Sequence, residues 1–212
     1  MLLSPIKWCN CCLSQKILTW FNKQVKLFYI TTNEIKFGAA SEQLVPHNIE
    51  LQQEGFDFSE LQSENPEEIV RDKARQAFEY FQTPVLVSDD CWQIPALRGF
   101  PGPYMKQLNS WFAPEDWLRL MTGMKDRRIF LLSSLAYQDA ETCQVFSHTR
   151  TYYFLEQPDL APTKAPHLQV ISKKPDGISV AKELELQGYS QHDPKGFWSG
   201  LADWLKNRHD VM

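Results

Sequence analysis

Two adjacent carboxylates, Asp89 and Asp90, follow the short apolar run Val85-Leu86-Val87 with only Ser88 between. The run reads as a strand, and two acids at a strand tip repel each other and lose hydration, so folding alone gives little reason to place them there. A hard cation resolves the conflict, and phosphate chemistry commonly needs one. The acids lead into Phe100-Pro101-Gly102-Pro103-Tyr104, a stiff turn. Three further pieces join them: Thr31-Thr32-Asn33 with Lys36, Glu60 with Gln62, and Lys73. Singly, Glu60 reads as a solvated loop acid and each lysine as a solvated helix face. Their order and spacing carry the weight.

The elements that must position these residues are legible. Residues 26–31 read as a buried first strand, followed by Thr32-Asn33 and a helix-like run over 34–44. Such a junction presents backbone N–H groups and the positive end of a helix dipole to an anion, and Lys36 adds a full charge in the first turn. Asn65 is a plausible N-cap, Pro66 suits the first helical position and Glu68 is placed as a capping-box partner. Val70, Ala74, Ala77, Phe78 and Phe81 then form one apolar face, and Pro84 closes the helix. A strand over 85–88 follows, so strand, helix and strand alternate as in an α/β sheet. Further on, the pattern predicts a helix over 114–121, strands over 129–137 and 145–155, and a third strand over 168–172. The stretch 157–166, with three prolines, reads as a long loop. The tail is a helix with Phe197, Trp198, Leu201, Trp204 and Leu205 facing the core.

At 212 residues and 43% hydrophobic composition the chain is sized for one domain with a substantial core. Its 22 basic and 26 acidic residues give a net charge of −4, which argues against a broad footprint on nucleic acid. No apolar run approaches the roughly 20 residues of a membrane span. Residues 1–24 read as an N-terminal extension to a single domain over 25–212. Lys7 and Lys16 interrupt the extension's hydrophobic residues, unlike a signal peptide. Cys9, Cys11 and Cys12 crowd there, but Cys91 and Cys143 are distant and no second pair has zinc spacing. The cysteines therefore suggest a reduced, cytoplasmic chain. Cys91 reads as a small buried filler.

Taken together, these residues resemble the inosine triphosphate pyrophosphatases. Thr31-Thr32-Asn33 with Lys36 is similar to that family's Thr/Ser-Gly-Asn turn and following lysine, and Phe58-Ser59-Glu60-Leu61-Gln62 resembles its Leu-Pro-Glu-x-Gln element. Glu68-Ile69 with Lys73-Ala74 is similar to its Glu-Ile and downstream Lys-Ala. Most specific is the aspartate followed by Ala-Leu-x-Gly-x-Pro-Gly-Pro-Tyr-x-Lys, matched by Asp89 and the segment from Ala96 to Lys106. The resemblance runs from about Leu27 to Ala136.

It implies Mg²⁺-dependent hydrolysis of a nucleoside triphosphate to a monophosphate and pyrophosphate, in an α/β protein with an elongated mixed sheet flanked by helices, two lobes and a central cleft. Glu60 and Asp89 are the implied metal ligands, with Asp90 as a further candidate, and Asp89 the implied base. Thr31, Thr32, Asn33, Lys36, Lys73, Tyr104 and Lys106 are the implied substrate contacts. A cytoplasmic homodimer without nucleic-acid or membrane partners completes the expectation.

The chain also departs from the pattern. Thr32 replaces the turn glycine, Asp90 replaces a hydroxyl residue, and Ala39 replaces an acid early in the helix. The family's Phe-Gly-aromatic-Asp-Pro segment falls on residues 167–171, and its Ser-His-Arg run falls near 192–195, where Lys195 could substitute for the arginine's charge. Neither is recognisable, which implies altered base specificity. His167 and His192 read as structural rather than as a ligand pair. Two alternatives stay open: a catalytically impaired descendant that binds a nucleotide or a protein, and a hydrolase of another phosphate ester.

Overall fold

The computed structural model describes residues 25–159, 167–187 and 197–209. Residues 1–24, His192 and Lys195 lie outside them. The elements in chain order are β1 (Val25–Ile30), α1 (Glu34–Leu44), β2 (Ile49–Glu54), α2 (Pro66–Phe81), β3 (Val85–Gln93), β4 (Pro101–Gly102), α3 (Met105–Trp111), α4 (Pro114–Leu120), β5 (Arg128–Gln138), β6 (Cys143–Phe154), α5 (His167–Val170), β7 (Ser172–Lys173), α6 (Val180–Gln187) and α7 (Phe197–His209). Seven strands form one mixed sheet in the order β2-β1-β3-β5-β6-β7, with β4 paired to β3. β1 runs parallel to β2 and β3, and the remaining pairs are antiparallel.

Local chemistry sets the helix starts. Asn33 caps α1 by accepting hydrogen bonds from the N–H groups of Ile35 (3.0 Å) and Lys36 (3.2 Å). Asn65 caps α2 by accepting from Glu67 N–H at 3.0 Å, with Pro66 in the first helical turn. Glu68 does not close the expected capping box: it accepts from the Ser63 hydroxyl at 2.7 Å, and Ser63 in turn takes the Asn65 N–H. α2 stops at Gln82, which adopts a left-handed backbone (φ 53°) two residues before Pro84.

Three buried clusters fill the layers. Leu27, Tyr29, Leu86, Leu135 and Tyr137 on one face of the sheet meet Leu44 of α1 and Leu201 of α7. On the other face Ile30, Val85, Val87 and Ala136 meet Val70, Ala74 and Ala77 of α2. Around Trp92, Ile94, Trp117, Ile129 and Leu131, a third cluster builds the second lobe with α3, α4 and α5. Each fully buried large side chain contributes about 1.5–3 kcal/mol. The expected strand over 168–172 is instead α5 followed by the two-residue β7. Leu168 and Ile171 are fully buried, because so short a segment can bury its apolar side chains in helical as well as extended form.

β3 also differs from expectation. It continues to Gln93, pairing without interruption against β5, so Asp89 and Asp90 lie within the strand, opposite Ser134 and Ser133. On its other edge β3 meets β1 only at Val85 and Leu86, and β4 only at Trp92 and Gln93. Among the described residues, the intervening edge over 87–91 has no strand partner. A recess bordered by both acids opens beside it.

Candidate active site

Strand alternation sends the two acids to opposite faces. Val85 and Val87 pack under α2 and Leu86 packs on the α1/α7 side, so Asp89 belongs to the first face and Asp90 to the second. The small residues Ala74 and Ala77, both fully buried, let α2 lie close on the sheet. Lys73 beside them places its Nζ 3.0 Å from Asp89 Oδ1. Both side chains are largely enclosed, 13% and 24% exposed, so the attraction is less screened than at the surface.

A recess of about 130 Å³ joins Asp89 and Lys73 to Glu60, Gln62, Tyr104 and Lys106. Two connections bring the last four there. The short strand β4 pins the Pro-Gly-Pro turn to β3, and Gly102, with φ +60°, makes the reversal a Cβ would strain. α3 begins immediately after Tyr104 and carries Lys106 back over the recess. The loop bearing Glu60 is held by Gln76 of α2, whose side-chain amide accepts from Ser59 N–H (3.0 Å) and donates to Ser59 C=O (2.8 Å). Phe58 packs behind it, edge-on to Phe56 at 5.0 Å. Lys106 Nζ lies 3.9 Å from Glu60 Oε1, an exposed and weak pair.

On the second face, Lys36 of α1 contacts Asp90 Oδ2 at 2.8 Å, and Ser133 donates to Asp90 Oδ1 at 2.7 Å. Arg150 reaches the same Ser133 oxygen at 3.3 Å. Burial alone pushes Asp90 up, but Lys36, Ser133 and Arg150 together hold its carboxyl below the usual range. Burial opposes the charge on Lys36 too, yet Asp90 keeps its ammonium firmly protonated. These residues border a smaller recess with Tyr29, Ser88, Phe197 and Trp198. The Tyr29 hydroxyl lies 2.5 Å from Ser88 Oγ, and burial pushes it above its ordinary value.

The expected site therefore divides. Glu60, Asp89, Lys73, Tyr104 and Lys106 converge on one recess, which Asp90 also borders, and Lys36 sits on the other side with Asp90. Thr31, Thr32 and Asn33 line neither recess. They form a tight junction: Thr31 Oγ1 accepts from Asn33 N–H at 3.1 Å, and Gln53 of β2 donates to Thr31 C=O at 3.0 Å. Thr32 is not among the left-handed residues, so losing the turn glycine imposes no backbone strain. The Asn33 side chain already occupies two of the helix N–H groups counted on for an anion.

No set of three or more His, Cys, Asp or Glu side chains among the described residues gathers closely enough to cage a metal. The donor chemistry still suits Mg²⁺, which typically takes one or two carboxylates and completes its shell with water and substrate phosphates. Glu60 and Asp89 offer hard oxygens to a common recess, whereas both oxygens of Asp90 are engaged. Gln76, Ser133, Arg150 and Gln53 were not singled out from sequence. Each acts on a residue remote along the chain, which no local pattern encodes.

The Ham1 family model matches residues 27–152. The dITP/XTP pyrophosphatase of Saccharolobus solfataricus is 34% identical over 122 residues, covering 58% of this chain and 64% of the relative. The inosine triphosphate pyrophosphatase of Tuber melanosporum is 33% identical over 111 residues, covering 52% and 60%. This chain thus matches less than two thirds of either relative's length. Among solved structures, the Ham1 protein of Staphylococcus aureus superposes with a TM-score of 0.69 at 17% identity, covering 86% of this chain and 99% of that one. The HAM1 protein of Coxiella burnetii gives 0.71 at 17% identity with the same coverage. At that identity the likeness shows the fold.

Proposed function

The chain belongs to the Ham1 family, and on that premise we propose that it is a Mg²⁺-dependent nucleoside triphosphate pyrophosphatase with altered base specificity. The observation that carries this reading is the shared recess of Glu60, Asp89, Lys73 and Lys106, two acids facing two cations at a gap in the sheet. Curated relatives named for dITP, XTP and inosine triphosphate support a purine triphosphate as the substrate class.

Glu60 and Asp89 would hold the cation, which supplies charge neutralisation and a more acidic water. Asp89 would orient the attacking water and take its proton as the water oxygen bonds to the α-phosphorus. The α–β bridging bond breaks and pyrophosphate leaves. Lys73, already 3.0 Å from Asp89, meets the phosphate charge as it develops, with Lys106 on the opposite wall. Tyr104 lines the recess, and its 44% exposure leaves its ring open to a ligand. The Thr31 to Asn33 junction and Lys195 belong to the proposed substrate contacts on sequence grounds. Altered base reading is supported by residues 168–171: Leu168 and Ile171 are fully buried and serve the core, where the family pattern carries base-contacting groups. The homodimer is included on the family resemblance alone, and the cytoplasmic location on the cysteine pattern. The absence of a nucleic-acid partner is supported by the net charge of −4.

Pyrophosphate release measured across standard and deaminated nucleotides with Mg²⁺ tests the proposal. At least one purine triphosphate should be turned over, and Asp89→Asn should lower the rate by roughly 10²–10⁴. No release above the Asp89→Asn background for any nucleotide overturns it.

A further inference from the structure

The family resemblance assigns Lys36 to a phosphate, yet in the structure its ammonium is paired with an anion the chain itself supplies. Its ammonium lies 2.8 Å from Asp90 Oδ2, a charge-assisted hydrogen bond of full strength, and the other carboxylate oxygen is held by Ser133 at 2.7 Å. Only 28% and 32% of the two side chains is exposed, so water offers partial compensation if they separate. A phosphate that recruits Lys36 must either break this contact or share the ammonium's three N–H donors with it. If the contact breaks, Asp90 keeps only Ser133 and the nearby charge of Arg150, and in either case the phosphate faces a like charge at close range.

The geometry of the cleft makes this competition unavoidable. Asp90 borders both recesses, the one with Glu60 and Asp89 and the one with Lys36. A polyphosphate lying along the unpaired edge over 87–91 therefore passes the Asp90 carboxylate before it reaches the Lys36 ammonium. Across the site, Lys73 pairs with Asp89, Lys106 with Glu60 and Lys36 with Asp90, so these six groups carry no net charge before a cation arrives. The first two acids face the recess where a cation would take them over, releasing their lysines. Asp90, turned to the other face and saturated by Lys36 and Ser133, has no such release.

We infer that Asp90 is a specificity-determining residue: an internal anion that occupies Lys36 and discriminates against the most highly charged phosphate tails. The inference rests on the pyrophosphatase reading for the identity of the ligand, but its test does not require turnover. It predicts that removing the carboxylate charge, by Asp90→Asn or Asp90→Ser, turns Lys36 into an available phosphate contact. Asp90→Asn keeps an oxygen for Ser133 and nearly the same volume, which guards against a folding artefact. Asp90→Ser removes the bulk as well.

Calorimetric titration of the full chain with inorganic tripolyphosphate, and with inorganic phosphate, in metal-free low-salt buffer tests it without involving a base. Both variants should bind tripolyphosphate at least tenfold more tightly than the parent chain, with a much smaller gain for phosphate. The gain should vanish in the Lys36→Met/Asp90→Asn double variant. Unchanged tripolyphosphate affinity in Asp90→Asn, or a gain that survives Lys36→Met, overturns the inference and makes the pair a structural strut. Nucleotide turnover by the parent chain together with unchanged affinity sinks this inference alone. A Lys36-dependent gain without any turnover sinks the enzymatic reading alone.

Discussion

Replacing Gln76 by alanine should weaken Mg²⁺ binding although Gln76 touches neither cation nor substrate. Its side-chain amide makes two hydrogen bonds to the Ser59 backbone, at 3.0 and 2.8 Å, and these fix the residue immediately before Glu60. Hydrogen bonds of this kind contribute about 1 kcal/mol each, so their combined loss is about 2 kcal/mol, or roughly 30-fold in the equilibrium holding the loop in place. Phe58 packing against Phe56 remains as a second anchor, which limits the expected loss of Mg²⁺ affinity to roughly 5- to 30-fold. Calorimetric Mg²⁺ titration reads the effect directly, with Glu79→Ala, an exposed change on the same helix, as control. The steady-state signature is a raised Mg²⁺ requirement that saturating Mg²⁺ largely restores, with kcat near the parent value. A Gln76→Ala chain that binds Mg²⁺ like the Glu79→Ala control refutes the idea that α2 positions Glu60. So does a loss of kcat that Mg²⁺ cannot recover.

Lys73→Met should leave Asp89 without its partner in a mostly enclosed position, lowering stability by roughly 1–3 kcal/mol and raising KM for the nucleotide. Urea unfolding at neutral pH together with steady-state kinetics checks both, and an unchanged midpoint contradicts it. Asp139 anchors the end of α7: burial pushes its carboxyl up, but the N–H groups of Glu141 and Thr142, the Tyr137 hydroxyl and Arg208 hold it below the usual carboxylate range. A depressed carboxylate contributes stability that is fully present above its unfolded value and lost as pH falls through its folded one. The parent chain should therefore lose more stability than Asp139→Asn between about pH 5 and pH 2, in urea midpoints measured across that range. Parallel curves for the two proteins contradict the assignment.

Much of this fold was legible because its signals are local. Asn33 and Asn65 announce helix starts through side-chain chemistry contained within three residues, and α1 spans the run expected from them. Phe197, Trp198, Leu201 and Leu205 recur at helical spacing and are buried on one face of α7. The extent of β3 was not legible. Two adjacent acids read as the tip of the strand, but Ser133 and Ser134 of β5 pair opposite them and the strand runs on to Gln93. Residues 168–171 show the reverse error, since a segment as short as Leu168-Gln169-Val170-Ile171 is compatible with either period and only the packing of Leu168 and Ile171 decides. The site was partly legible for the same reason. Order and spacing group Glu60, Lys73 and Asp89 with Lys36 and the Thr31 to Asn33 junction, and the family resemblance adds Lys106. Neither shows that Asp90 faces away from Asp89 toward Lys36, because that depends on strand alternation persisting past Ser88.

A double-mutant cycle on divalent-cation affinity, using the parent chain, Glu60→Gln, Asp89→Asn and the double variant, asks whether one ion is shared between the two carboxylates. If they share an ion, each single change should reduce Mg²⁺ affinity at least tenfold, and the double change should cost much less than the sum. Independent, additive losses, or full affinity in either single variant, would contradict a common cation and with it the metal-assisted phosphate chemistry assigned to this cleft.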